Sequence, residues 1–314
     1  MAKILLAGEP MMLFIAKTEG ALEEVRDFTR SISGAEVNVA VGLRRLGHEA
    51  VYFTRVGEDP FGAGILRFLE KEKIDTSLIG RDKTRRTGLQ FKAKNLKGDP
   101  EICYYRGGSA ASAVTAAQLG AVGLKGFDHL HLTGIFPALS DTTREAAFAL
   151  LARAKAAGLT ATFDPNLRPM LWGSEAEMVR TLNDLACRAD VVLPGAGEGK
   201  ILTGFSDERE IAGFYLDRGV KAVVVKLGKK GAYYRSAQGE GYAPAFQEDR
   251  RVDTVGAGDG FAAGVVSALL EGLPLPAAVE RGNAVGTMQI MSPYDNEDLP
   301  DRGTLETFMQ THRP

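Results

Sequence analysis

The chain is poor in cysteine, histidine and tryptophan, with two, four and one respectively, and its charges nearly cancel to a net −2. Each scarcity excludes something. Cys103 and Cys187, with no CxxC spacing, supply neither a disulfide framework nor a cysteine-rich zinc site, and they fit a reducing compartment as inert thiols. Lys and Arg are scattered, so the basic stripe that nucleic acid or an anionic membrane surface would require is missing. No apolar run approaches the roughly 20 residues that span a bilayer. The opening MAKILLAGEP is too short in apolar residues for a secretory leader and reads as a first buried strand. These exclusions point to a cytoplasmic protein with no nucleic-acid and no membrane partner.

What is present is the composition of a globular α/β chain: 314 residues, 45% hydrophobic and 25% charged. That suits one large domain. Short apolar runs at 4–7, 50–56, 129–132, 160–163, 191–193 and 222–226 read as buried strands. Helical patterns at 37–46, 62–71, 142–157, 175–185 and 208–218 alternate with them, and 258–271 and 275–291 add helices near the C-terminus. Such alternation predicts a doubly wound, mostly parallel sheet with helices on both faces. Two regions break the rhythm. Residues 11–15 with 25–33, and 87–94 with 101–106, read as β-hairpins that no helix covers. They are either surface excursions or one small sheet, and long excursions from a compact body are often functional. The expectation is one domain, 1–314, with a lid from 11–33 and 87–106.

The densest chemical signal is Asp253-Thr254-Val255-Gly256-Ala257-Gly258-Asp259-Gly260-Phe261, followed by an apolar helical run. Small residues let the chain turn tightly and aim successive N–H groups at one point. The following helix adds its free N-terminal amides and the positive end of its dipole. Gly256, Ala257 and Gly258 thus form a cradle for a transferring phosphoryl group. A carboxylate beside an anion site repels its ligand, so Asp259 makes sense as the base that takes a proton from an attacking hydroxyl. The plainer alternative is a helix cap on an ordinary glycine loop. A dinucleotide-binding reading is disfavoured, since the first strand leads into Glu9-Pro10 and not into GxGxxG.

DTVGAGDGF resembles the C-terminal signature of the ribokinase-type, or PfkB, carbohydrate kinases. Gly34-Ala35-Glu36-Val37-Asn38-Val39-Ala40, closing at Leu46-Gly47, is similar to their N-terminal signature, with Ser33 where a first glycine is usual. The resemblance spans nearly the whole chain. It implies a ribokinase-like fold with a β-lid that often forms a dimer contact, so a homo-oligomer, dimeric through the lid or larger, is expected. It also implies ATP as phosphoryl donor with Mg2+; a monovalent-cation requirement stays open.

Taken residue by residue, the resemblance implies nucleotide-side contacts from Asn166, Gly195, Lys226, Gly228, Gly231 and Asn283, and a magnesium contact through water from Glu198. Gly195 stands where the family has an asparagine. Without the resemblance, the turn after 226 is a strand-end loop of the kind where α/β ligands gather, or a plain hairpin into 232–234. On the sugar side, Tyr104, Arg106 and Arg168 resemble the 2-keto-3-deoxygluconate kinase branch, with Gly34 and Asn38 at the floor and Asp295 as a late acid. Gln90 replaces a lid tyrosine common in that branch. Two arginines converging from separate elements would favour a carboxylated sugar, though Arg168 could equally be a surface cation and Tyr104 hairpin packing. His129 and His131 share a strand face but lack a third ligand nearby, so a structural role is expected. The aromatics, Trp172 included, read as core or rim and not as a base-stacking platform.

The expected activity is therefore ATP-dependent phosphorylation of a sugar-acid hydroxyl, 2-keto-3-deoxygluconate to its 6-phosphate. The alternatives are a fructokinase or tagatose-type ketose kinase, and, from a different class, a non-catalytic carbohydrate sensor on the same fold. Loss of the base would mark the sensor, and Asp259 is present.

Overall fold

A computed structural model describes residues 1–94, 100–248, 252 and 254–312. Most of the expected turn at 95–100, and Asp253 of the glycine motif, lie outside the described residues. The strands in chain order are β1 (Lys3–Ala7), β2 (Met11–Glu19), β3 (Phe28–Ser33), β4 (Glu49–Gly57), β5 (Ile79–Asp82), β6 (Gly88–Lys94) and β7 (Ile102–Tyr105). They continue with β8 (His129–Thr133), β9 (Thr160–Asp164), β10 (Val191–Val192), β11 (Ala222–Lys226), β12 (Ala232–Ser236) and β13 (Gly239–Ala243). The helices are α1 (Ala35–Arg45), α2 (Pro60–Lys71), α3 (Ala116–Gly120), α4 (Asp141–Ala156) and α5 (Glu175–Ala186), then α6 (Ala196–Thr203), α7 (Glu208–Leu216), α8 (Ala257–Leu270), α9 (Leu275–Gln289) and α10 (Arg302–Thr311).

Nine strands form one sheet in the order β13-β12-β11-β10-β9-β8-β1-β4-β5. It is parallel from β11 to β5, and β12 and β13 add an antiparallel edge. The chain leaves β1 toward β4 on one side and returns on the other at β8, so the order reverses beside β1. Such a switch point is where open α/β sheets bind ligands, beyond the carboxyl ends of the strands. Burial alternates along β1 as a doubly covered strand requires. Ile4 and Leu6 face a layer containing α1, α8 and α9, while Leu5 and Ala7 face one containing α4, α5 and α7. Ile4, Leu5 and Leu6, fully buried, each contribute about 1.5–3 kcal/mol.

The two hairpins do form one sheet, separate from the large one, in the order β3-β2-β6-β7. The join is parallel, β2 on β6, with Met11 opposite Gly88 and Leu13 opposite Gln90. One face of this sheet carries Phe14, Phe28 and Tyr105 in ring contact with Phe91, and Phe14 and Phe91 are stacked at 5.0 Å between centroids. Among the described residues, no helix is long and apolar enough to cross a membrane.

Helix α8 is buried along almost its whole length. It crosses α9 where Gly264 and Gly282 leave no room for a side-chain carbon, since a Cβ on either would lie within 3 Å of the other helix. The N-terminal end of α8, and Asp259 with it, is thus fixed by packing from both sides.

His129 and His131 are buried, and both ring nitrogens of His129 and Nδ1 of His131 face threonine hydroxyls. His129 meets Thr160 at 2.6 Å and Thr162 at 2.9 Å, and His131 meets Thr162 at 2.7 Å. Burial pushes their pKa values down to about 4 and about 3, so both rings are neutral and structural at pH 7.

Candidate active site

Strands β1, β8, β9, β10 and β11 all end at a cavity of about 330 Å³ that the small sheet roofs. Its walls include Gly34, Asn38, Gln90, Tyr104, Arg106, Asn166, Arg168, Glu198, Lys226, Gly256, Gly258, Asp259 and Asp295. Most of the residues singled out from the sequence are therefore brought together. A larger open depression, about 620 Å³, borders Lys3 and Glu49 at the opposite, amino ends of β1 and β4 and gathers none of them.

Asp259 sits in the first turn of α8, 8% exposed. Gly256 caps that helix at φ 81°, a left-handed conformation, and a Cβ there would stand 2.8 Å from the Asp295 carbonyl. Only glycine meets both demands at low cost. Two amides hold the Asp259 carboxylate: Asn38 Nδ2 donates to Oδ2 at 2.7 Å and Asn166 Nδ2 to Oδ1 at 3.2 Å. Asn166 reaches it because the chain bends sharply after β9, with φ +40° at Asn166 and its N–H donated to Asp164 Oδ1. Burial pushes the Asp259 carboxyl up to about 7, against the pull of the Asn38 hydrogen bond; Asp164 adds to the rise, while Arg168 and Lys226 oppose it. A carboxyl poised near neutrality suits a general base.

Lys226, at the end of β11, pairs with Asp164 at 2.7 Å. Its Nζ would lie 3.6 Å from a Cβ placed on Gly258, so the ammonium stands at the mouth of the α8 amides. Burial works against the Lys226 charge, but Asp164 and Glu198 outweigh it and raise the pKa, so the lysine stays charged. Glu198 lies on α6. Its Oε2 accepts the Gly195 N–H at 2.7 Å and its Oε1 the Leu167 N–H at 2.8 Å. With both oxygens so engaged, a hydrated cation bridged by phosphates fits better than direct, multidentate ligation. Among the described residues there is no group of three His, Cys, Asp or Glu that could hold a metal by itself.

On the sugar side the two arginines differ. Arg106 is buried and pairs with Glu9, Nε to Oε2 at 2.6 Å, while Ser109 Oγ donates to Glu9 Oε1. Its guanidinium also stands 5.6 Å from the Tyr104 ring centroid. Arg168 is half-buried and donates from Nη1 to the Leu167 carbonyl at 2.8 Å; it has no carboxylate partner among the described residues. Asp295 is paired with Lys92 at 2.8 Å and accepts the Ser33 hydroxyl at 2.6 Å. Glu9 went unnoticed as a site residue in the sequence. Its signal is an acid immediately beyond the carboxyl end of the first strand.

Five expected site residues are absent from the cavity wall: Ala257, Gly195, Gly228, Gly231 and Asn283. Ala257 is the first residue of α8. Asn283 spends its amide on the Ala243 and Pro244 carbonyls, at 2.9 and 3.1 Å, pinning the chain beyond β13. Gly231 lies against the same segment, and a Cβ there would overlap the Ala243 carbonyl. For both, close backbone packing explains the residue type without a nucleotide.

A doubly wound sheet whose strand ends hold a buried carboxylate at a helix N-terminus, next to a charged lysine, is arranged to move a phosphoryl group onto a hydroxyl. The sequence matches the pfkB family of carbohydrate kinases over residues 1–302, and the chain belongs to that family. It is 45% identical over 307 residues to the 2-dehydro-3-deoxygluconokinase of Bacillus subtilis (strain 168), covering 98% of this chain and 95% of that one. Among solved structures, a PfkB protein from Polaromonas sp. JS666 superposes with a TM-score of 0.90 at 44% identity, covering 98% and 99% of the two chains. An E. coli protein described as a ribokinase II, in complex with ATP and Mg2+, superposes at 0.90 with 26% identity, covering 99% and 100%.

Proposed function

We propose that this carbohydrate kinase transfers the γ-phosphoryl group of ATP to the 6-hydroxyl of 2-keto-3-deoxygluconate, giving the 6-phosphate and ADP. Asp259 accepts the hydroxyl proton as the oxygen attacks phosphorus. The N-terminal amides of α8 and the Lys226 ammonium face the charge that develops on the phosphoryl oxygens, where preorganised dipoles act most strongly. Glu198 would hold a magnesium ion through water, and the ion would supply further charge neutralisation when bound. Arg168 takes the sugar carboxylate, with Gly34, Asn38, Gln90 and Tyr104 around the carbon chain.

The observation that carries this reading is Arg168, which has no acid partner among the described residues and faces a cavity whose other described cations are paired with acids. The B. subtilis relative, by its name, acts on the same sugar acid. A ketose kinase is the second reading, favoured by one feature: Glu9 cancels the charge of Arg106 and makes that side of the cavity neutral. One panel separates them. ADP release is measured with 2-keto-3-deoxygluconate, fructose, tagatose, ribose and adenosine, and the sugar acid is expected to give the highest kcat/KM. A higher value for fructose would replace the first reading with the second.

The small sheet serves as the lid, and its ring-bearing face, with Tyr105 63% exposed, is the surface through which two copies pair. Sedimentation of wild type against Tyr105→Glu tests this; an unchanged mass would refute it. ATP as co-substrate and two free thiols suit a cytoplasmic enzyme.

A further inference from the structure

Asn296 follows α9, in a turn that lies between the small sheet and α1. Its side chain is fully buried, it is absent from the cavity wall, and its nearest link to the chemistry is through another amide. Asn296 Nδ2 donates twice, to the Ile32 carbonyl on β3 at 2.9 Å and to Asn38 Oδ1 at 2.8 Å. That second bond fixes which way the Asn38 amide faces. With its oxygen turned to Asn296, its Nδ2 points at Asp259 Oδ2, 2.7 Å away. The reversed amide would set NH2 against NH2 at one end and oxygen against carboxylate at the other.

We propose that Asn296 is a positioning residue for the catalytic base, holding Asn38 in the orientation that keeps a donor on Asp259 and tying that donor to the lid strand β3. Neighbouring contacts strengthen the tie. Ser33 and Lys92, both in the small sheet, hold Asp295, and Ser31 Oγ donates to Glu297 at 2.5 Å. The turn 295–297 thus joins the lid to α1 by side-chain bonds on three successive residues. A shift of β3 would carry the Ile32 carbonyl with it and loosen the grip on Asn38. The base is then held ready only while the lid strand is seated.

The proposal rests on Asp259 as base, and the two can be tested apart. A hydrogen bond to the ionised carboxylate lowers its pKa, so its loss raises it. The charged groups otherwise facing Asp259 are Asp164 on β9, Arg168 in the following loop and Lys226 on β11, and none of them contacts Asn296. In Asn296→Ala, the acid limb of kcat/KM against pH should move up by about one pH unit, with KM for ATP unchanged and the rate regained at alkaline pH. In an Asn38→Ala background the same change should move the limb no further. Asn296→Leu, close to it in volume, carries the test if the alanine variant does not fold. An unmoved limb in a folded variant overturns the proposal, as does an equal shift with or without Asn38, or failure of both variants to fold. Asp259→Asn is the separate control: retained turnover there sinks the base itself, whereas an inactive Asp259→Asn beside an unmoved limb sinks only the part given to Asn296.

Discussion

Replacing Arg168 by methionine removes the one cavity cation that lacks an acid partner among the described residues, and keeps most of its volume. The guanidinium is anchored by one bond to the Leu167 carbonyl, which leaves further N–H groups for a ligand. A charge-assisted hydrogen bond contributes about 1.5–3 kcal/mol, and a half-buried setting argues for the lower part of that range. A loss of about 1.5–2 kcal/mol corresponds to roughly 10–30-fold. Arg106 adds less than its charge suggests, because Glu9 already neutralises it. The ratio of kcat/KM for 2-keto-3-deoxygluconate over fructose should therefore fall about 10–30-fold in Arg168→Met, with fructose itself little affected. Arg168→Lys should recover only part, since a point charge does not reproduce the planar fork. Arg106→Met should behave differently. It strands the Glu9 carboxylate in a buried site, at a cost of about 3–5 kcal/mol in stability, and turns that side of the cavity negative. The assay is coupled ADP release under initial-rate conditions at several sugar concentrations. A ratio unchanged in Arg168→Met would refute the reasoning, and so would a larger fall in Arg106→Met without loss of stability.

Further expectations concern the base and the lid. Asp259→Asn should keep ATP affinity and lose about 10²–10⁴ in turnover; near-normal turnover would remove Asp259 from the mechanism. In wild type, kcat/KM should drop tenfold for each pH unit below about 7, where the Asp259 carboxyl gains its proton, and a profile flat to pH 5 would contradict that assignment. The same carboxyl shapes stability. Its folded pKa is raised above the unfolded value near 3.8, so folded protein binds the extra proton and stability declines as pH rises from about 4 to about 7. Asp259→Asn should accordingly raise the melting temperature at pH 8 and lose that advantage near pH 4; a variant less stable at pH 8 would argue against it. Lys92→Met leaves Asp295 buried without its cation and should cost about 3–5 kcal/mol in urea unfolding; a loss under 1 kcal/mol would mean the pair is not what seats the lid.

Several parts of this architecture were legible in the sequence. Residues 4–7 and 222–226 read as strands because a doubly covered strand is apolar without interruption, and both lid hairpins were visible as alternating runs without a covering helix. Others were not. Helix α6, AGEGKILT, carries two glycines and begins right behind β10, so no periodicity announces it. Strand β5, IGRD, is a short, largely polar edge, and α10 lies beyond the last strong apolar pattern. The larger gap is contact across the fold. Glu9 meets Arg106 over 97 residues, Lys92 meets Asp295 over 203, and Asn38 meets Asn296 over 258. Local patterns place residues on elements but do not record which buried charges meet, so Arg106 and Arg168 read as equivalent when they are not. The bonds of Asn283 were equally hidden: its carbonyl partners lie 40 and 39 residues away.

The pairing of charges in the cavity bears directly on the chemistry. Among the described residues, Asp164, Glu9, Asp295, Glu198 and Asp259 border or underlie it, and the first four are already satisfied. Asp164 has Lys226, Glu9 has Arg106, Asp295 has Lys92, and Glu198 has two backbone N–H groups. Asp259 has only neutral amides as hydrogen-bond partners, and burial raises its proton affinity. Among the cations, Arg168 alone lacks an acid among the described residues. One proton acceptor and one carboxylate receptor are what a sugar acid with a free hydroxyl requires. The neutralised pairs hold the rest of the polar wall in place without competing for either end of that substrate. Preference for a sugar acid then depends on the spacing between Arg168 and Asp259, because such a substrate engages both.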